Sequence, residues 1–248
     1  MSVLDLEGVT VRLGDVDVLH GASCALDART IAVIGENGSG KSTLARLAGG
    51  LVTATAGRVR VLGLDPAREA AQLRGRVSVV FSNPDAQIIM PTVAEDVAFS
   101  LRPEKLPRPE RDRRVAEALA HFGLTDLAEH SAHDLSGGQK QLLALCGAFV
   151  RRPELVIADE PTAYLDARNA RRIADHLFAE SGHRETGRRD SDHRESGHRE
   201  SGHRLLLVTH DLELAARCEA AVLVEGGTIT ATGAPPQIIT AYQQVIGC

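Results

Sequence analysis

Short apolar runs that break off at polar residues recur along the chain, at 30–34, 77–81, 155–158, 205–208 and 221–224. Runs of this length without alternation predict strands buried on both faces. Segments with helical spacing lie between them. Leu44, Ala45, Leu47 and Ala48 form an apolar face that Gly49-Gly50 ends, and Val115, Leu119 and Phe122 form another within 109–122. Further helices are predicted over 66–73, 93–101, the stretch that follows Gln139 up to Val150, 169–180 and 235–245. The opening is different: 3–13 and 16–26 read as strands about a turn at Gly14-Asp15, and 58–62 alternates cleanly. A further strand is predicted over 228–232. Together these predict an α/β fold, a mostly parallel sheet covered on both faces, with an N-terminal antiparallel β part and an α-helical subdomain. The expected boundaries are 1–83 for the first part of the core, 84–150 for the helical subdomain, and 151–248 for the rest.

Composition narrows the class. At 248 residues, 43% hydrophobic and 25% charged, the chain can bury a full core. Aromatics are only 3%, so that core must be aliphatic. A net charge of −5 argues against a nucleic-acid partner. Cys24, Cys146, Cys218 and Cys248 are scattered, which fits free thiols in a reducing compartment. The opening M-S-V-L-D-L-E-G has no basic or long apolar stretch, so no secretion signal is expected. No run approaches the ~18 apolar residues of a bilayer span.

Residues 181–204 break the pattern with a five-residue repeat of the form S-G-H-R-E. Six arginines, five acids and four histidines (His183, His193, His198, His203) stand there without one aliphatic or aromatic side chain. Such a segment has nothing to offset its ordering entropy and reads as a disordered surface loop. A metal site is disfavoured, because a five-residue period collects the histidines on no single face of a helix or strand.

The chemistry concentrates in I-A-V-I-G-E-N-G-S-G-K-S-T at 31–43. This matches the phosphate-binding loop, with Gly35, Glu36, Asn37, Gly38, Ser39, Gly40, Lys41, Ser42 and Thr43 around the anion. Glycines let backbone N–H groups curl inward, and the helix that follows points its positive end at the same place. Lys41 would reach the β- and γ-phosphates, and Ser42 would ligate Mg²⁺. Downstream, the 155–159 strand ends in Asp159, expected to lie beside the loop strand and to hold the metal shell. Glu160 follows, expected on the opposite face of an extended strand and placed to polarise water. Consecutive acids there are costly unless they meet a cation or a cleft. His210 also ends an apolar run. A lone histidine there is more often a hydrogen-bonded core residue, but Thr209, Asp211 and its order after Glu160 favour a γ-phosphate contact.

L-S-G-G-Q at 135–139, A-D-E-P-T at 158–162, L-D at 165–166 and H-D at 210–211, in that order after the loop, resemble the ATP-binding cassette ATPases. The resemblance runs from about residue 3 to 233. It implies a phosphate-loop NTPase core, ATP and Mg²⁺ as ligands, and a dimer, either homodimer or heterodimer. Ser136, Gly137 and Gly138 would then cap the γ-phosphate held by the partner's loop, and Asp166 would belong to the nucleotide site. A narrower likeness, in 81–99 and 135–145, is to the ATPases of energy-coupling-factor importers, most like the biotin branch, with cobalt or nickel uptake as the alternative. That implies a transmembrane coupling subunit, a substrate-binding membrane subunit, and a place at the cytoplasmic face of the membrane. A soluble cassette ATPase of translation or DNA repair, or a regulatory nucleotide sensor, are rival classes. Two positions depart from the family. Leu13 stands where an aromatic usually stacks on adenine, and it would cover the base by dispersion alone. Ser82 stands where glutamine usually contacts Mg²⁺, so its metal contact is expected through water. Gln87 is expected to begin a helix facing the membrane partner.

Overall fold

The computed structural model describes residues 2–179 and 202–247. The central layer is a six-stranded sheet. In order across it lie β5 (Val77–Val80), β6 (Leu155–Asp159), β7 (Arg204–Val208), β3 (Thr30–Ile34), β8 (Ala220–Glu225) and β9 (Thr228–Gly233). All neighbours run parallel except β9, which returns antiparallel to β8. A second, antiparallel sheet holds β2 (Val16–Leu26), β1 (Leu4–Leu13) and β4 (Ala56–Val61).

The apolar runs produce this layering because successive strand side chains point to opposite faces. On β3, Ile31 and Val33 join one apolar cluster while Ala32 and Ile34 join the other. The first cluster packs α1 (Lys41–Ala48) between the two sheets, through Leu44, Ala45, Leu47 and Ala48. The second is covered by α3 (Val93–Ser100), α4 (Arg108–Phe122), α5 (Gly137–Phe149) and α6 (Ala167–Ala179). Val115, Leu119 and Phe122 of α4 are buried there, and Phe122 is 1% exposed. Losing a ring so enclosed costs about 3–5 kcal/mol. The remaining helices are α2 (Ala70–Arg76), α7 (Leu212–Ala216) and α8 (Pro235–Ile246). Among the described residues no helix is long and apolar enough to cross a membrane.

Four expectations are corrected. The helix expected over 66–73 lies at Ala70–Arg76; 66–69 is turn, held where Asp65 accepts the Ala67 N–H and Glu69 accepts that of Asp65. The strand carrying Asp159 is not beside the loop strand, because β7 lies between β6 and β3. Most of the repeat lies outside the described residues, but its last two members belong to the fold. His203 is buried with its ring 4.8 Å from Phe149, and Arg204 opens β7. The backbone N–H of Arg204 donates to the Glu154 carbonyl and its guanidinium to Asp27.

The fourth correction concerns Gln87. It begins no helix; it ends the short 3-10 turn Pro84–Ala86, with its side chain turned inward. Its Oε1 accepts the Phe81 N–H at 2.7 Å and its Nε2 donates to the Val79 carbonyl at 3.0 Å. β5 is an edge strand, and the Gln87 amide supplies the partners that a neighbouring strand would otherwise provide. Gln87→Leu leaves a donor and an acceptor without partners, so it should lower unfolding free energy by about 1–3 kcal/mol. Urea melts of both proteins check this, and an unchanged midpoint would show that water satisfies the edge equally well.

Candidate functional site

The site grows from the carboxyl ends of β3, β6 and β7. β3 delivers the chain to Gly35, where φ is 149° and a side chain would meet the Val224 carbonyl oxygen at 2.1 Å. Only glycine fits so close to β8. The loop is braced from behind, as the Gly227 N–H of the β8–β9 turn donates to the Ser39 carbonyl at 3.0 Å. Gly40 caps α1 with φ 104°, and no side chain satisfies the first turn of that helix. The Ser39 hydroxyl is buried and unpartnered in the same loop. Free helix N–H groups and an orphaned hydroxyl together form a cradle suited to an anion.

Lys41 is 6% exposed, and its Nζ donates to the carbonyls of Gly35 (2.8 Å) and Glu36 (2.7 Å). Burial pulls its pKa down, opposed by the charges of Glu160, Asp159 and Glu36. Beside it, the Ser42 hydroxyl donates to Asp159 Oδ1 at 2.9 Å. Burial raises the pKa of Asp159, while the Ser42 hydrogen bond, Arg46 and Lys41 pull it back down. A hydroxyl and a carboxylate in contact make a hard-oxygen donor pair of the kind Mg²⁺ takes.

Glu160 does not continue the strand on its opposite face, as expected. Its φ is 50°, a left-handed turn costing about 1–2 kcal/mol for a residue with a Cβ. Its N–H still donates to the Val208 carbonyl, which fixes the turn against β7. The turn brings its carboxylate to His210, with Nδ1 and Oε2 2.8 Å apart. His210 is held in turn by its neighbours: Thr209 donates its N–H to Val33 and accepts that of Asp211, and Asp211 caps α7.

A cleft of about 780 Å³ is lined at its polar end by Gly35, Glu36, Asn37, Ser82, Glu160 and His210, and buried Lys41 hydrogen-bonds to the carbonyls of Gly35 and Glu36 behind that wall. Thr162, Leu165, Ala170 and Tyr242 help line the rest. The other predicted residues lie elsewhere. Leu13 sits at the β1–β2 hairpin tip, 40% exposed and paired in register with Val16. Ser136 caps α5 in a reciprocal box with Gln139. Gly137 is exposed with open space before it, whereas Gly138 is buried, and a side chain there would strike Asn169 at 2.7 Å. Asp166 accepts the N–H groups of Arg168 and Asn169 at the start of α6, and so caps its own helix. Tyr242 and Ala170 carried no signal in the sequence; the folded positions of α8 and α6 bring them to the cleft. Tyr164, in left-handed backbone (φ 63°) and 97% exposed, also lines the cleft.

A parallel sheet whose central strand feeds a phosphate cradle, with a carboxylate from a second strand on the loop serine, defines a phosphate-loop nucleotide hydrolase. Residues 20–163 match the ABC transporter family, and the chain belongs to it. It binds ATP, and its activity is ATP hydrolysis coupled to transport. A Deinococcus radiodurans ABC transporter ATP-binding protein, itself provisionally assigned, is 39% identical over 242 residues, covering 98% of both chains. The biotin transport ATP-binding protein BioM of Rhizobium etli is 36% identical over 242 residues, again 98% of both. The energy-coupling factor transporter ATP-binding protein EcfA1 of Lacticaseibacillus paracasei is 38% identical over 220 residues, 87% of this chain and 72% of that one. Among solved structures, cbiO1 of Clostridium perfringens, part of the ABC transporter complex cbiONQ, superposes with a TM-score of 0.80 at 29% identity. That match covers 99% of this chain and 93% of cbiO1.

A folded pKa above the ordinary aspartate value means that Asp159 supports folding when protonated and loses that support as pH rises through its folded pKa. At pH 7 without nucleotide or Mg²⁺, Asp159→Asn should therefore melt at the same temperature or higher, because the amide oxygen still accepts from Ser42. Its ATPase activity should fall to background. Thermal melts and phosphate release measure both, and a melting point several degrees lower would show the carboxylate to be stabilising as it stands.

Proposed function

We propose that this chain is the ATP-hydrolysing subunit of an energy-coupling-factor importer, working at the cytoplasmic face of the membrane and powering uptake of a vitamin, biotin. The observation that carries the catalytic part is the Glu160–His210 pair lining one cleft with Gly35, Glu36 and Asn37 of the phosphate loop, while Ser42 of the same loop bonds to Asp159, the residue before Glu160. The importer class is supported by likeness to EcfA1 and BioM over most of the chain.

In this reading Lys41 and the loop N–H groups bind the β- and γ-phosphates. Ser42 and Asp159 hold Mg²⁺, with Ser82 reaching it through water. An ion held there would supply charge neutralisation to the phosphates. Glu160 orients the attacking water, and His210 holds that carboxylate while offering its other ring nitrogen to the γ-phosphate. Leu13 and its neighbour Val16 cover the base by dispersion.

Each site takes its second wall from another chain, in a homodimer or with a second cassette ATPase. Ser136 suits that task. Its oxygen accepts the Gln139 N–H, which leaves the hydroxyl hydrogen free to donate to a phosphate on the partner. Gly137 presents its N–H beside it, while Gly138 lets α5 close on Asn169. Asp166 contributes by fixing the turn that leads into α6. We take 84–150 to be the helical segment that follows the coupling subunit in the membrane, against a core made of 1–83 and 151–248.

Glu160→Gln should keep ATP binding and lower turnover by at least about a hundredfold, because phosphate contacts stay while water polarisation goes. Near-normal turnover would remove Glu160 from the chemistry. If the unaltered chain itself binds ATP without turnover, a nucleotide sensor replaces the transport reading. Affinity purification from membranes, followed by binding of radiolabelled biotin and of cobalt or nickel to the captured subunits, tests the cargo.

The shared site has its own test. A mixed dimer of a Lys41→Ala chain with a Ser136→Arg chain should hydrolyse ATP, because both lesions fall in one site and leave the other whole. Each mutant homodimer should be inactive. Mixed dimers of confirmed mass that show no activity would count against two-chain sites that work independently.

A further inference from the structure

Helix α5 carries Ser136 at its start and is fastened to edge strand β5 at its carboxyl end and to the segment leaving β5 at its amino end. At its carboxyl end the fastening is buried: the Ser78 hydroxyl of β5 donates to the Ala148 carbonyl at 3.0 Å. At its amino end two polar contacts reach the segment leaving β5. Gln141, 2% exposed, donates its Nε2 to the Phe81 carbonyl at 3.3 Å. Lys140 Nζ lies 2.7 Å from Asp85 Oδ1, with its side chain only 17% exposed. The first of the three residues between these two anchor points is Ser82, which lines the cleft with Glu160 and His210.

The turn that presents Asp85 is itself stiff. Asn83 accepts the Asp85 N–H at 3.0 Å, and the Gln87 amide clamps Phe81 and Val79 from the far side. Ser82 thus lies in a segment held to α5 at Phe81 and at Asp85. The Lys140–Asp85 pair ties that segment to the first turn of α5, four residues from Ser136. The buried Ser78–Ala148 contact holds the other end of the helix.

We propose that Lys140 is a positioning residue for hydrolysis: its ion pair with Asp85 fixes the start of α5, and so the placement of Ser136. The proposal rests on the reading of the cleft as the ATP site. A pair with one partner mostly exposed adds little to fold stability. Its effect should therefore show in turnover rather than in melting.

The test is a double-mutant cycle on the full chain, with kcat and KM for ATP and the melting temperature measured for each variant. Lys140→Ala and Asp85→Ala should each lower kcat about five- to tenfold, with KM within twofold and melting within two degrees. The double alanine variant should lose no more than either single one, because both remove the same contact. Lys140→Arg should stay within twofold of the unaltered chain. Lys140→Asp combined with Asp85→Lys should recover most of the lost kcat. Unchanged kcat in the single variants, additive losses in the double, or a loss that appears in KM would overturn the proposal. If the exchanged pair does not fold, the alanine cycle and Lys140→Arg decide. An unaltered chain that binds ATP without hydrolysing it would also overturn the proposal, whereas one that does not bind ATP would remove the reading of the cleft itself, which an ATP-binding measurement shows first.

Discussion

Burying charge at the ends of apolar strands is the constraint on which the site depends. Lys41 and Asp159 are nearly enclosed, and burial works against the charged form of each. Such groups persist only where partners are fixed in place beforehand. The Gly35 and Glu36 carbonyls hold the ammonium, and Ser42 holds the carboxylate. The rest of the architecture keeps these partners still. β8 presses against Gly35, the β8–β9 turn braces Ser39, and β7 fixes the turn at Glu160.

The same logic explains why strain is tolerated at Glu160. A left-handed glutamate costs free energy that a straight continuation of β6 would not. The straight path, however, would carry the carboxylate to the other side of the sheet, away from the phosphate loop. The backbone bond to Val208 and the contact with His210 hold the strained turn. Cleft and helical segment then meet through β5, whose edge is satisfied by Gln87 and whose exit is tied to α5.

Much of this was legible in the order of residues. The apolar runs at 30–34, 155–158, 205–208 and 221–224 became the buried parallel strands, since a run without alternation can only lie covered on both faces. The phosphate loop was readable because a strand, a glycine turn and a helix are contiguous, so local geometry alone builds the cradle. Even the capping box at Ser136 was a local pattern.

What the sequence could not determine depends on contacts between distant segments. Strand order is one case: β7 lies between β6 and β3, though nothing in either apolar run distinguishes a central strand from its neighbour. Gln87 is another, because its inward turn exists only where β5 is an edge and offers Val79 and Phe81 to it. His203 looked like the end of a polar repeat until Phe149 supplied a ring to pack on. Tyr242 reaches the cleft from the last helix, where α8 packs on the sheet. The physical division is plain. Periodicity and turn chemistry act over a few residues and are written in order, whereas a hydrogen bond or a packed face across seventy residues takes its energy from a neighbour that only the folded chain provides.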